Sequence, residues 1–501
     1  MRIAYFSPFP PQHTGIATYS MHLVAELRRI MEVDCYDFGN KDAGTASQHF
    51  ADFATGGRVS ALVDHDAVVY HLGNNPWYHL EIFRTLKQLP GIVVLHDVIL
   101  YYLMAGGGIR GLIKHFLLNY GFARAAEIKR IVADCPDGDV LRYRHPERYP
   151  MVGSIFPYAS RIVVHNQHAR ENLVSLGYTG PIHVVPLLSY PNPAFNPEKI
   201  SALRRQHRIG DGELVIGCLG FIGPSKRLDK VCEALSRIKN ELPFRLLIVG
   251  EGEDPTDAIV ENGLVDRTIV TRYVPNESFS DYMALTDVLV NLRFPSMGES
   301  SATLIQALAL GKPCVVTNDA SFRDLPDNCV VKIDVGESEV SDLADAITAL
   351  GVDLDRRASL GAAALRFVES NWSGRRIAHQ FQRVIEADIK TRAQEGLKTR
   401  ARDLEGLGTA GNIVQSRLLS SVPPHLREML RGLQETRDSA LEGQLTKEKV
   451  RWAYKFFLNR EPESDSVIDE AIARFRGNKD FRNALLSSEE YIRNERDDFW
   501  G

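Results

Sequence analysis

Residues 291–313 read NLRFPSMGESSATLIQALALGKP, and this stretch decides the fold prediction. The apolar run Val288–Asn291 that leads into it is typical of a buried parallel strand. A loop carrying Arg293 and Glu299 follows, and then a helical pattern that opens with small residues and stops at a Gly-Lys-Pro sequence. A strand, a polar loop and a helix in this order predict one unit of an α/β sheet.

The same alternation extends outward from this stretch in both directions. The candidate strands are Ile3–Phe6, Val33–Tyr36, Ala67–His71, Ile92–His96, Arg161–His165, Ile182–Pro186, Leu214–Leu219, Arg245–Val249, Thr268–Thr271, Val288–Asn291 and Pro313–Thr317. Most are continuous apolar runs without alternation, which indicates parallel strands covered on both faces. Helical patterns such as Thr18–Arg29 separate them, so we expect a doubly wound α/β architecture.

Prolines near Leu188–Pro193 interrupt this alternation, which then starts again. We therefore expect two Rossmann-like domains that face a cleft. The predicted segments are residues 1–190 for the N-terminal Rossmann-like domain, 191–372 for the C-terminal Rossmann-like domain, 373–392 for a closing helix, 393–446 for a helical or flexible linker, and 447–501 for a small all-α module.

Composition excludes several classes of protein. The 501 residues are 44% hydrophobic and 25% charged, as in ordinary soluble globular proteins. No apolar stretch approaches the roughly 18 residues that span a bilayer, and the run Ile3–Phe6 is too short for a secretory signal. A net charge of -5 gives no reason to expect nucleic acid as a partner. We expect a cytoplasmic protein, at most peripheral on the inner face of the cell membrane.

Ligands of doubly wound sheets gather at the carboxyl ends of the strands, so candidate residues are sought there. Gly15 follows the first strand and lets a ligand approach the N-terminus of the next helix. His96 follows the strand at Ile92 and offers a hydrogen bond to a sugar hydroxyl. An ordinary turn and a structural histidine are the alternative interpretations of these two residues.

The loop from Gly220 to Arg227 has the composition of a phosphate-binding loop. Gly220 and Gly223 allow backbone amides to face a phosphate, while Lys226 and Arg227 bring positive charge. The lysine does not fall in a G-x-x-x-x-G-K-[ST] pattern, so a P-loop ATPase is not indicated.

The stretch 291–313 supplies the remaining candidates. Arg293 adds positive charge, and Glu299 is suited to accept sugar hydroxyls. Ser300 and Ser301 open the helix with small side chains, which leaves backbone amides accessible to a diphosphate.

Ser296 to Val316 resembles the donor-site signature of family 4 retaining glycosyltransferases, in which a glutamate, a Gly/Ser-rich turn and a helix ending in Ala-x-x-x-Gly-x-Pro-Val follow a strand. The resemblance extends to Gly220–Arg227, His96-Asp97, the Gly15 loop and Asn371-Trp372-Ser373. It covers about Met1–Arg392.

This resemblance implies a GT-B fold and transfer of a hexose from a nucleoside-diphosphate sugar with retention at the anomeric carbon. The implied acceptor is a glycan or a lipid-linked oligosaccharide in bacterial surface-polysaccharide synthesis, and no cofactor or metal is expected. His96 would hold the sugar, Glu299 would orient its hydroxyls, and Lys226 would stabilise the leaving diphosphate.

Two positions depart from the family pattern. Gln306 stands where a second glutamate is usual, separated from Glu299 by six residues instead of seven, and Phe221 replaces a common arginine. Gln306 is expected to contact the ribose, and Arg227 or Arg293 to replace the missing charge. The base, GDP or UDP, stays open. The alternatives are a catalytically inactive sugar-binding or scaffold subunit and another GT-B enzyme, such as a sugar-nucleotide epimerase or a phosphorylase.

Asp-x-Asp triplets bind divalent cations in family A glycosyltransferases. The chain contains three, at Asp64-His65-Asp66, Asp137-Gly138-Asp139 and Asp353-Leu354-Asp355. Chance alone gives about this number in a chain of this composition, and none lies in the predicted cleft. We expect no metal site.

Two further segments suggest partners. The helical pattern Ile109–Val132 carries an apolar stripe beside basic residues, so it predicts either packing on the N-terminal sheet or contact with an anionic membrane. Tyr454–Pro462 and Leu485–Tyr491 resemble a small helical domain of unknown role that is appended to bacterial surface-polysaccharide proteins. Protein docking or oligomerisation is expected for residues 447–501.

Overall fold

The structure is a computed structural model that describes residues 1–37, 47–49, 62, 64–190, 196–405, 447, 450 and 464–474. The chain divides into two compact units, Met1–Gly408 and Thr409–Gly501. Both β-sheets lie in the first unit.

The first sheet is parallel and has the strand order β3-β2-β1-β4-β5-β6-β7. Its strands are β1 (Arg2–Phe6), β2 (Glu32–Asp37), β3 (Ser47–His49), β4 (Ala67–Leu72), β5 (Gly91–Leu95), β6 (Ala159–Val164) and β7 (Ile182–Val184). The helices of this part are α1 (Gly15–Leu27), α2 (Pro76–Gln88), α3 (Tyr101–Met104), α4 (Gly108–Tyr120), α5 (Ala125–Ala133) and α6 (Gln167–Ser175).

The second sheet is also parallel, with the order β10-β9-β8-β11-β12-β13. Its strands are β8 (Leu214–Leu219), β9 (Phe244–Val249), β10 (Thr268–Val270), β11 (Val288–Asn291), β12 (Cys314–Thr317) and β13 (Val331–Ile333). The helices are α7 (Pro197–Gln206), α8 (Leu228–Ile238), α9 (Thr256–Glu261), α10 (Asn276–Leu285), α11 (Ala302–Ala309), α12 (Ala320–Arg323), α13 (Glu339–Val352) and α14 (Leu354–Asn371).

A long final helix, α15 (Gly374–Glu405), returns from the second sheet to the first. It packs on α1, and its apolar residues Ile377, Phe381 and Ile385 are buried in the core beneath the first sheet. The closing helix therefore completes the core of the N-terminal domain. It also continues beyond Arg392, into the segment that the sequence suggests as a linker.

The predicted fold class is confirmed, since two doubly wound parallel sheets are present. Each predicted strand is found within about two residues of its expected ends. The two strands that the sequence analysis missed, β3 and β13, are three-residue strands at sheet edges. β3 reads Ser-Gln-His and β13 reads Val-Lys-Ile, so neither gives the continuous apolar run that marks a buried strand.

The prediction of one helix over Ile109–Val132 is wrong. Gly121 adopts a left-handed conformation with φ of 73°, which ends α4 and separates it from α5. The buried residues of α4 are Leu112, Phe116 and Leu117, so most of the apolar stripe packs inside the domain. No helix in the described part of the chain is both long and apolar enough to cross a membrane.

The described residues of the second unit include the helix α16 (Asp465–Arg474), which lies in the predicted all-α module 447–501. Ile468 and Ala471 are buried, and Lys447 forms an ion pair of 2.6 Å with Asp469. The motifs at Tyr454–Pro462 and Leu485–Tyr491 lie outside the described residues.

Strand order locates the functional site. In the first sheet the order reverses between β1 and β4, and in the second between β8 and β11. Ligands of open α/β sheets bind in the crevice at such switch points, beyond the carboxyl ends of the strands. The loops after these four strands are therefore the candidate site.

Candidate functional site

The loops at the carboxyl ends of the two sheets meet in direct contact. The backbone amides of Val98 and Ile99, just after β5, both donate to the carbonyl of Met297, just after β11, at 3.0 and 3.3 Å. Gly298 makes this approach possible, because its φ is 83° and a Cβ there would lie 2.8 Å from Val98. Asn166, after β6, adds a third link by donating to the Gly298 carbonyl at 3.1 Å.

Lys226 lies at the end of the β8–α8 loop with its side chain buried. Its Nζ donates to the carbonyl of Leu219 at 2.5 Å and to Oδ1 of Asn291 at 3.4 Å. Burial, helped by the nearby Arg293 guanidinium, lowers the pKa of this lysine to about 7. Lys226 is therefore a cation that the fold alone stabilises poorly and that a bound anion would stabilise.

Arg293 and Glu299 form a fixed ion pair beside Lys226. The guanidinium donates to Oε1 of Glu299 at 2.6 Å, and the amide of Met297 donates to Oε2 at 2.6 Å. Arg293 Nε is buried without a hydrogen-bond partner among the described residues. The pKa of Lys226 is raised by Glu299 and lowered by Arg293, so the three charges share one neighbourhood. We call Lys226, Arg293 and Glu299 the charged cluster.

Asp97 faces the charged cluster from the N-terminal domain. Its Oδ2 accepts the backbone amide of Asn74 at 2.8 Å, which ties the loop after β5 to the loop after β4. Burial, and then repulsion from Glu299, raise the pKa of Asp97 to about 7. Asp97 was not among the predicted site residues, although it stands beside His96 and follows a strand as directly as the predicted residues do.

His96 lies in the same loop but makes a different set of contacts. Its Nε2 is 3.0 Å from Nδ1 of His71, and its Nδ1 is 3.2 Å from Nε2 of His165. Both ring nitrogens are thus engaged within the N-terminal domain. The expected contact between this imidazole and a donor sugar requires one of these two hydrogen bonds to be exchanged.

The other predicted loop residues divide into open and occupied positions. Gly15 is exposed, and a Cβ built on it would meet no described atom within 4 Å, which leaves room for a ligand. Gly220 has a φ of 97°, and a Cβ there would lie 3.3 Å from Lys226 Nζ. Gly223 has an extended backbone that any residue adopts. The side chain of Arg227 is already paired, because its guanidinium forms a two-point ion pair with the buried Glu339.

The residues at the start of α11 serve mainly to hold the loop in place. Ser301 caps the helix by accepting the amide of Leu304 at 3.3 Å. Ser300 Oγ accepts the side-chain amide of Asn166 at 3.0 Å. Gln306 faces the interdomain connector, where its Oε1 accepts the amide of Tyr190 at 3.2 Å.

Two contacts of this kind were not foreseen by the sequence analysis. Asn166 follows β6 and donates its side-chain amide to the carbonyl of Gly298. Asn74 follows β4, and its side-chain Oδ1 accepts the backbone amide of Tyr102 at 2.8 Å, in the segment that follows β5. Searching every strand end for polar residues, including the amides, would have found them.

The Asp-x-Asp triplets take local structural roles. Asp353 caps α14 by accepting the amide of Arg356 at 2.8 Å, Asp139 accepts the amide of Leu141 at 3.0 Å, and Asp66 accepts the amide of Arg2 at 2.8 Å. Within the described ranges, no group of three or more His, Cys, Asp or Glu residues is arranged to hold a metal ion.

Two facing Rossmann-like domains with polar loops at their junction define a GT-B fold. Solved structures share it. An Anabaena protein, HepE, crystallised in complex with UDP-glucose, aligns with a TM-score of 0.56 at 15% identity, over 77% of this chain and 100% of that one. Sucrose-phosphate synthase from Thermosynechococcus elongatus aligns with a TM-score of 0.51 at 15% identity, over 77% and 98%.

Sequence similarity points to one enzyme class. Residues 213–353 match the family model described as "Glycosyl transferases group 1". The chain is 26% identical over 211 residues to a Mycobacterium tuberculosis GDP-mannose-dependent alpha-(1-6)-phosphatidylinositol monomannoside mannosyltransferase, covering 40% of this chain and 54% of that protein. It is 25% identical over 230 residues to D-inositol 3-phosphate glycosyltransferase from Kribbella flavida, covering 42% and 53%. The chain spans about half the length of these curated relatives.

Proposed function

We propose that this chain is a retaining glycosyltransferase of the family 4 type, which moves a hexose from a nucleoside-diphosphate sugar to an acceptor. The observation that carries the proposal is the position of the charged cluster, at the switch point of the second sheet and against the loop after β5. The match of residues 213–353 to a glycosyltransferase family supports it, since these residues include the whole charged cluster.

The chemistry of transfer explains why such a cluster is needed. When the glycosidic bond of the donor breaks, negative charge grows on the diphosphate and positive charge grows on the sugar. Lys226 and the free Nε of Arg293 would stabilise the diphosphate, and an anion there would raise the pKa of Lys226 from about 7. Removing one preorganised donor of this kind typically costs about 3–4 kcal/mol of transition-state stabilisation.

Groups from both domains would act on the sugar. Asp97 and Glu299 supply hydrogen-bond acceptors for its hydroxyls. The loop contact between Val98 and Met297 closes this side of the site, and exclusion of water favours transfer over hydrolysis. His96 would accept a hydrogen bond from a sugar hydroxyl once one of its present hydrogen bonds is exchanged.

Donor assays test the proposal directly. The purified chain is incubated with GDP-mannose and with UDP-glucose, the donor types that the names of similar proteins contain, and with a lipid-linked oligosaccharide pool. Release of nucleoside diphosphate together with a glycosylated acceptor is expected for one donor. Binding of a donor without transfer would favour the inactive scaffold, and a free epimerised nucleotide sugar would favour the epimerase.

The acceptor and location belong to the same proposal. We place the protein in the cytoplasm, peripheral at most on the inner membrane face, acting on a glycan or lipid-linked acceptor in surface-polysaccharide synthesis. Ile109 and Leu118 remain exposed on α4 beside basic residues, which leaves a narrower membrane-contact surface than the sequence suggested. Co-sedimentation with anionic and with neutral vesicles tests this contact. Residues 447–501 would serve docking or oligomerisation, which light scattering on the full chain tests.

A further inference from the structure

Three histidines form a hydrogen-bonded chain across neighbouring strands of the first sheet. His71 belongs to β4, while His96 and His165 directly follow β5 and β6. His71 Nδ1 lies 3.0 Å from His96 Nε2, and His96 Nδ1 lies 3.2 Å from His165 Nε2. This series of hydrogen bonds ends at His165, whose Nδ1 lies 2.9 Å from the backbone carbonyl of Val185. We call these three side chains the histidine chain.

The carbonyl at the end sets the direction of every bond in the histidine chain. A carbonyl only accepts, so Nδ1 of His165 carries a proton and donates to Val185. In a neutral imidazole the other nitrogen is then bare, so His165 Nε2 accepts from Nδ1 of His96. By the same reasoning His96 Nε2 is bare and accepts from Nδ1 of His71. Each of the three rings is therefore protonated at Nδ1.

The far end of the histidine chain agrees with this assignment. The direction of the bonds requires His71 Nε2 to be a bare acceptor. That atom is buried and has no hydrogen-bond partner among the described residues, as expected for a nitrogen with no proton to place. A protonated Nε2 in the same position would be a buried donor without an acceptor, which is more costly.

The surroundings keep the three rings neutral. His71 and His165 are buried, and only His96 is partly exposed. The ring of Tyr19 packs against all three imidazoles, with centroid distances of 5.9, 5.2 and 5.5 Å. Burial lowers the pKa of His165 to about 4 and the pKa values of the other two well below the ordinary value. The carboxyl group of Asp97 is also near, but it accepts a hydrogen bond from the backbone amide of Asn74 and not from a ring of the histidine chain.

We propose that His71 and His165 are positioning residues that hold His96 as a neutral imidazole protonated at Nδ1. Its Nδ1 is committed to His165, which is itself anchored to the backbone. The nitrogen that can be exchanged is Nε2, and it is an acceptor. The group that takes the place of His71 must then be a hydrogen-bond donor, such as a sugar hydroxyl, and neither a phosphate nor a carboxylate.

The role of His96 in transfer rests on the proposed function, but its protonation state does not, and this separates the two tests. Histidine ring nitrogens labelled with ¹⁵N give different long-range NMR patterns for the Nδ1-H, Nε2-H and doubly protonated forms. In the full chain at neutral pH we expect His71, His96 and His165 to show the Nδ1-H pattern. An Nε2-H or doubly protonated His96 would overturn the proposal, whether or not the protein transfers sugar.

A matched pair of variants tests the anchoring role of His165. In His165→Gln the amide oxygen reaches the position of Nε2 and accepts from His96, while in His165→Asn the amide reaches only the position of Nδ1. We expect His165→Gln to keep the Nδ1-H pattern of His96 and His165→Asn to give a mixture of tautomers. Identical His96 spectra in the two variants would overturn the anchoring role.

Kinetics with the active donor distinguish positioning from simple loss of structure. We expect His165→Asn to lower kcat by roughly tenfold to a hundredfold with a much smaller change in the donor KM, since a displaced contact acts mainly in the transition state. His165→Gln should recover most of this loss. Equal losses in both variants would contradict a role exerted through His96. Absence of transfer in the wild type, with the Nδ1-H pattern intact, would contradict only the proposed function.

Discussion

The two facing edges of the site are built from the same kind of sheet but from opposite chemistry. The second sheet presents the charged cluster, in which Arg293 is paired with Glu299 and Lys226 lies near both in the neighbouring loop. The first sheet presents the histidine chain, whose rings are neutral and bonded to one another. Both groups sit at the carboxyl ends of central strands, where the strand order places them.

This difference matches the two halves of a nucleotide sugar. A diphosphate is a multiple anion, so preorganised cations stabilise it, and the charged cluster supplies them. A hexose is neutral and rich in hydroxyls, so neutral acceptors suit it better than cations. The comparison therefore predicts that changes to the cations of the charged cluster act on diphosphate chemistry and depend on pH, while changes on the other edge act on the sugar.

The largest effect is expected from Lys226→Met. The substitution keeps the length of the side chain but removes the cation that we propose to stabilise the leaving diphosphate. We expect turnover to fall by about a hundredfold to a thousandfold, as for the loss of one preorganised donor. Steady-state kinetics with the active donor measure it, and a thermal unfolding curve checks that the variant is folded.

The matched control is Lys230→Met, in the first turn of α8 and four positions after Lys226. Lys230 pairs with Glu233 at 3.0 Å and lies outside the charged cluster. Its loss should change turnover less than twofold. Equal losses in the two variants would mean that the effect is one of general charge, and the assignment of Lys226 would be wrong.

The second effect is uptake of a proton when the donor binds. The pKa of Lys226 is about 7 in the free protein, so at pH 8 most molecules carry a neutral amine. A bound diphosphate raises this pKa, and a proton must then be taken up. Affinity should therefore fall as pH rises above 7, by at most about tenfold per pH unit for one proton.

Calorimetry in buffers of different ionisation enthalpy measures this uptake. The observed binding enthalpy should depend on the buffer at pH 8 and much less at pH 6, where Lys226 is already protonated. In Lys226→Met the dependence at pH 8 should disappear. A buffer dependence that survives in this variant would place the proton on another group.

The sequence predicted the charged cluster better than the histidine chain, for a physical reason. Lys226 and Glu299 lie in loops whose glycines and small residues are visible as patterns, and charges in such loops have few structural uses. His71 looked like the last residue of an apolar strand, and His165 did too. Their bonds join residues 25 and 69 positions apart, so no local spacing reveals them. The ion pair of Arg227 could not be predicted for the same reason, since Glu339 lies 112 positions away.

A third effect is expected from Asp97→Asn, where the two edges meet. The asparagine side chain keeps an oxygen that accepts the backbone amide of Asn74, but it carries no charge and so is not repelled by Glu299. The pKa of Asp97 is raised from 3.8 to about 7, so between these values the folded protein binds more protons than the unfolded chain. The free energy of unfolding contributed by this group therefore falls as pH rises from about 4 to about 7, and is constant above.

Chemical denaturation of both proteins across pH 4 to 8 tests this sign. The free energy of unfolding of Asp97→Asn relative to the wild type should rise up to pH 7 and then level off, because only the wild type loses the contribution of Asp97. Titration of Lys226 affects both proteins equally and cancels in the difference. A difference that is constant with pH would contradict the raised pKa. Turnover should fall less than in Lys226→Met, since Asp97 faces the sugar half of the donor.

The smallest effect on donor binding is expected from deleting Thr409–Gly501. All residues of the charged cluster and of the histidine chain belong to the unit Met1–Gly408, and so do the loops that connect them. The cut falls after α15, whose residues Ile377, Phe381 and Ile385 belong to the core beneath the first sheet and must stay. Donor affinity by calorimetry should then stay within about twofold of the full chain, because the charged cluster and the histidine chain both remain.

A larger deletion, from residue 374 onward, is the informative contrast. It removes α15 and with it part of the core that supports β4 and α1, on the edge that carries the histidine chain. We expect this variant to lose stability and donor binding together, since large apolar side chains are removed from a buried core. If the longer truncated protein also fails to bind the donor, residues beyond Gly408 contribute to the site, and the two edges compared above are not the whole of it.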